Sequence, residues 1–200
     1  MSATGNPIPS GNALELPPFS LDVQALDLGP GVKAVGLELV ETENREPVRG
    51  KDAAKIWSAV FPALVGGDPY VVDFFSHIDR FREFCKARGI ALREAAERCV
   101  VLPQPDQEQL RQVFERFEGE TFGIRTGATA QSADAPIEGD LSKRGLDAYQ
   151  PAYARYTFCA ICEPEDGWVT ILSESLWSSE IIRRVRPAVE PLDVHIARPN

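Results

Sequence analysis

The chain has 200 residues and a formal net charge of −9, so binding to nucleic acid or to an anionic membrane surface would need a local basic patch. An apolar content of 44% with 26% charged residues is that of a soluble globular protein, and no apolar run reaches the roughly 18–20 residues of a membrane-spanning helix. Four cysteines are too few for a disulfide framework, and the start MSATGNPIPSGN lacks the basic-then-apolar pattern of a secretory signal, so the expectation is a cytoplasmic protein with free thiols.

Residues 1–12 hold Gly5, Pro7, Pro9 and Gly11 among small polar residues and read as a flexible tail. Phe19–Val23 and Val35–Leu39 alternate apolar and polar residues around a Gly/Pro turn at 27–31, which predicts an antiparallel strand pair with one wet face. Residues 41–50 are polar loop. Asp52 can cap a helix whose Ile56, Trp57, Val60, Phe61 and Leu64 form one stripe, with Pro62 ending or kinking it. Asp68-Pro69 carries the residues of a helix start. Phe74, Ile78, Phe81 and Cys85 then recur at helical spacing, and Gly89 with Ile90 supplies a C-cap.

Ala91–Cys99 reads as helical through Leu92, Ala95, Ala96 and Cys99, and 100–102 as a short strand or connector. Asp106 with Gln109 three residues on is a capping box, opening a helix with Leu110, Val113, Phe114 and Phe117 on its apolar face. Thr121–Arg125 is a candidate strand. Residues 126–139 are small, polar and without a periodic pattern, which predicts a long flexible loop.

The densest apolar block runs from Tyr153 to Val189 and reads as strand, turn, strand, helix. Both faces of Tyr156–Cys162 are apolar, as in a strand covered on two sides. A turn at Glu163–Gly167 leads back into Trp168–Ser173, with Cys162 opposite Trp168. Ser175 or Ser178 caps a helix carrying Trp177, Ile181 and Val185; Arg183, Arg184 and Arg186 fall in its last turn and Pro187 stops it. Leu192–Ile196 is a candidate final strand. The expected fold is therefore α+β: a mainly antiparallel sheet (N-terminal strand pair, central hairpin over 155–173, C-terminal strand) packed against four to five helices. Residues 13–200 read as one domain interrupted by the loop at 126–139.

Chemistry-bearing patterns are sparse. Cys159 and Cys162 form a C-x-x-C, but the pleat of a strand sends them to opposite faces, so neither a metal site nor a redox pair is expected. Asp73 and His77 share a helical face if the helix begins at Asp68, with no nucleophile beside them. No phosphate-loop, dinucleotide, hydrolase-elbow or zinc-protease motif is present, and no cofactor is implied. Arg125, Lys143 and Arg144 flank the long loop, while Arg183, Arg184 and Arg186 follow the hairpin.

Two functional expectations result. One is a non-catalytic acidic interaction module, an adaptor, immunity-type or regulatory subunit that binds a protein partner. The other is a small enzyme or ligand-binding domain that holds an anionic small molecule where the two arginine groups converge, with 126–139 as lid.

Overall fold

The computed structural model describes residues 16–27, 33–66, 69–74, 78–96, 99–126, 158–173 and 176–198. Among the described residues nine strands form one sheet: β1 (Phe19–Asp27), β2 (Lys33–Glu41), β3 (Tyr70–Phe74), β4 (Arg93–Ala96), β5 (Cys99–Leu102), β6 (Phe122–Thr126), β7 (Phe158–Glu163), β8 (Trp168–Leu172) and β9 (Val194–Ala197). Their spatial order is β4-β5-β3-β6-β7-β8-β2-β1-β9. Every pairing is antiparallel except β1 with β9, so the sheet is mixed. Among the described residues there are four α-helices: α1 (Gly50–Val65), α2 (Ile78–Arg88), α3 (Gln107–Arg116) and α4 (Ser178–Val189).

Successive side chains of a strand point to opposite faces, and here the two faces are distinct. On one, Leu21, Leu37, Leu39, Val72, Phe122, Phe158, Ala160, Cys162, Val169 and Ile171 join the inward stripes of the helices in one apolar core. Within it Phe61 of α1 meets Phe114 of α3 in a tilted contact at 5.2 Å and Phe158 of β7 edge to face at 6.1 Å between ring centroids. The other face carries Ser20, Asp22, Gly36, Arg125, Cys159, Thr170 and Leu172, with a small cluster of Val71, Cys99 and Val101. The C-x-x-C is thus split between the faces. All four cysteines are buried thiols and none is in a disulfide. Burial pushes the Cys85 thiol up to about 12. It raises Cys162 as well, with Glu163 adding to the effect.

The strand pair, the capping box and the α2 terminus form as their residues predict. Asp106 accepts from the Gln109 backbone at 2.8 Å while the Gln109 side chain accepts from Asp106 N–H at 3.1 Å. Gly89 has φ 65° and Ile90 N–H donates to the Cys85 carbonyl at 2.9 Å.

Several expectations are overturned. Tyr70–Phe74 is strand, not helix, because the YVVDF run is β-branched and aromatic, and pairing on both sides outweighs the Asp68-Pro69 signal. Arg93–Ala96 is the edge strand β4 rather than a helix. The hairpin closes on Glu163↔Trp168, one residue off the expected register, because Pro164–Asp166 form a tight 3-10 turn and Gly167 takes φ 64°. That slip moves Val169 and Ile171, instead of Thr170 and Leu172, onto the core face. Pro62 and Pro187 lie inside α1 and α4, which run on to Val65 and Val189. The residues at the helix starts also differ. Arg49 occupies the N-cap of α1 and Trp177 that of α4, neither with a side-chain cap. Trp177 is 53% exposed and off the buried stripe. Finally, the face of the N-terminal pair expected to be wet buries Ser20 and Asp22.

Candidate protein-interaction surface

The sheet separates Arg125 from Arg183, Arg184 and Arg186. Arg125 stands on β6 opposite Val71 and Cys159, is fully buried on the face away from the core helices, and donates from Nη2 to the Cys99 Sγ at 3.5 Å. Arg183, Arg184 and Arg186 are exposed on α4, which packs on the other face. Arg183 grips Glu180 through two bonds of 2.8 and 2.7 Å. Arg184 donates to the same carboxylate at 2.7 Å and to the Leu64 carbonyl at 3.1 Å, near the end of α1. These bonds hold the Glu180 carboxyl down at about 2. Arg125 and the α4 arginines therefore do not converge. Lys143, Arg144, the loop beyond Thr126 and the tail at 1–12 lie outside the described residues, as does His77; Asp73, expected on a helix, is in β3.

What the fold does bring together is acid. Three segments meet at the end of the sheet where β2 stops, β6 starts and the β7–β8 hairpin turns. Gly167 packs against the 39–47 segment so closely that a Cβ there would lie 2.5 Å from the Leu39 carbonyl, and Leu39 N–H donates to the Gly167 carbonyl at 2.8 Å. A Cβ on Gly119 would lie 3.9 Å from Glu165 Oε2, and the Glu118 carboxylate accepts from Gly50 N–H. Glu41, Glu43, Glu46, Glu118, Glu163, Glu165 and Asp166 therefore share this end, and none of them is in an ion pair among the described residues. Burial, followed by the charge of Asp166, raises the Glu163 carboxyl above its ordinary value. Of the neighbouring cations, Arg45 and Arg80 are already engaged, by Asp22 and Glu120, while Arg49 and Lys51 flank the Gly50 that Glu118 bonds.

A cleft of about 550 Å³ opens into the same end, lined by Leu16, Pro17, Pro18, Phe19, Glu41, Thr42 and Glu43. Leu16 is 74% exposed, and the buried Thr42 hydroxyl has no hydrogen-bond partner among the described residues. The cleft has an apolar floor and a carboxylate rim. Beside it, Arg45 adopts φ 65° and bonds Asp22, which also accepts from the Ser20 hydroxyl at 2.6 Å. That latch fixes the 42–47 segment across β1. Sequence reasoning missed both cleft and latch. Their residues come from segments far apart in the chain, and the one local signal, a PPF run before an alternating strand, is common.

Among the described residues no group of three or more His, Cys, Asp or Glu could hold a metal ion, and no helix is long and apolar enough to cross a membrane. No family model, curated protein or solved structure matches this chain.

Proposed function

We propose that this chain is a non-catalytic interaction module, an adaptor, immunity-type or regulatory subunit, whose acidic end docks a basic segment of a protein partner. The observation that carries the reading is the apolar cleft at Leu16–Phe19 set among carboxylates that, among the described residues, lack ion pairs. An apolar anchor from the partner fills the cleft, while its Lys or Arg side chains meet the rim. Unneutralised like charges such as Glu163 and Asp166 are costly in the free protein, and a basic partner relieves that cost. Complementary charge also speeds encounter, with a strong dependence on salt. That all nine described strands belong to one sheet supports residues 13–200 acting as a single unit.

The test is affinity capture from the source cells with three versions of the chain. Wild type should retain a stoichiometric basic partner. The charge-reversed Glu43→Lys/Glu165→Lys/Asp166→Lys variant and Leu16→Glu should lose it, with circular dichroism spectra unchanged. Recovery of no stoichiometric partner by wild type, or equal recovery by the charge-reversed variant, would sink the reading.

A further inference from the structure

A second groove, of about 480 Å³, lies between α2, α3 and the start of α1, and its charge is opposite to that of the chain. Arg88 rests with its guanidinium carbon 5.9 Å from the Phe84 ring centroid, and Arg116 sits 5.7 Å from that of Phe117. Phe84 and Phe117 themselves meet edge to face at 5.3 Å, which ties α2 to α3. The two guanidiniums are therefore held by aromatic faces, with their N–H groups left for other partners. Lys51 completes the cationic wall from the first turn of α1. None of these three cations is in an ion pair among the described residues.

The carboxylates of the groove are already committed. Glu108 receives two bonds from Arg111, at 2.7 and 2.6 Å, and Glu115 receives a third at 2.7 Å. Four cations thus face two carboxylates, both spent on one arginine, in a protein whose total charge is −9. Long cationic side chains brought together without counter-charges repel one another, and an anion between them removes that repulsion. The volume is in the range of small-ligand sites, roughly 300–1,000 Å³. Arginine forks and a lysine point charge suit the oxygens of phosphoryl and carboxyl groups.

We propose that this groove binds a small polyanion carrying two or more phosphoryl or carboxyl groups, gripped by Lys51, Arg88 and Arg116. It is a second site, lined by none of the residues of the Leu16 cleft and adjoining the acidic end only where Glu118 bonds Gly50 beside Lys51, and variants in it leave that end's carboxylates unchanged. Calorimetric titration of the full chain with inorganic tripolyphosphate and with citrate, at physiological ionic strength, tests it. Saturable one-site binding of at least one anion is expected, and the tighter of the two identifies the phosphoryl or the carboxyl source. Loss of a charge-assisted contact weakens binding by about tenfold, so Arg88→Ala/Arg116→Ala and Lys51→Ala should each show at least that loss. Arg183→Ala/Arg184→Ala, which removes as much charge from a different helix, should bind as wild type does. Absence of saturable binding to both anions, or an equal loss in the α4 control, would overturn the proposal. All the substituted residues are exposed, and unchanged urea melts would show that folding is not what has altered.

Discussion

Alternate residues of the same strands line two unlike interiors. Towards the helices the sheet presents aliphatic and aromatic side chains, and Trp57, Phe61, Phe114 and Phe158 interlock without a charge among them. Away from the helices the same strands bury Ser20, Asp22, Thr170 and Arg125. The first interior is stabilised by area removed from water and by close packing. The second depends on polar groups finding partners, because an unpaired one costs its full desolvation. One sheet can therefore combine a face tolerant of conditions with a face that responds to pH.

The sharpest way to test that contrast is to damage each face in turn. Phe61→Ala empties a fully buried ring site on the helix side and should cost about 3–5 kcal/mol, read from urea unfolding and nearly independent of pH. Asp22→Ala removes the acceptor of Ser20 and Arg45 and should cost about 2–3 kcal/mol at neutral pH. Its pH dependence is the distinguishing mark. Burial alone would raise the Asp22 carboxyl, but the bonds from Arg45 and Ser20 outweigh it, and the group ends below its ordinary 3.8. A carboxyl lowered by folding stabilises above its unfolded value and loses that contribution as pH falls through the folded one. Wild type should thus weaken below about pH 4 more steeply than Asp22→Asn, and parallel acid limbs would erase the distinction between the faces.

Glu163→Gln gives the smallest effect, with the opposite sign. Its carboxyl is raised from 4.5 by burial and then by Asp166, so ionising it costs stability as pH climbs through that range. The group is partly solvated and screened, and Gln should gain only a few tenths of a kcal/mol at neutral pH while weakening partner capture. A stabilised variant with undiminished capture would separate Glu163 from the docking surface.

Much of the fold was legible where the signal is local. The Asp106–Gln109 box, the Gly89-Ile90 terminus and the alternation of β1 and β2 involve residues a few positions apart, and each forms as expected. The hairpin was legible in position but not in register, since a four-residue and a five-residue turn fit the same Glu-Pro-Glu-Asp-Gly letters. Tyr70–Phe74 was misread because its identity is decided by β5 and β6, not by its own capping residues. The arginines misled for a related reason. Arg125 looks like a surface cation in sequence, and only the alternation of β6 inside a covered sheet buries it. The acidic end, the Leu16 cleft and the Arg45–Asp22 latch each join segments far apart, and no window of sequence contains them.

The strand order has a consequence for the moment of synthesis. β2 lies next to β8, and β3 next to β6, so the N-terminal pair and the β3–β5 group share no edge until the stretch from β6 to β8 slots between them. β8 begins roughly 125 residues after β2 ends, a delay of roughly 6–25 seconds at translation rates of about 5–20 residues per second. Through that interval β2 lacks its β8 partner, whereas β3 lacks β6 only until Phe122–Thr126 has been made. A nascent chain in that state is open to sticking to its neighbours, and only α4 and β9 follow the hairpin that joins the two groups. Slow codons before Phe122 would lengthen the exposure, and chaperone occupancy on translating ribosomes should peak between the emergence of β3 and that of β8.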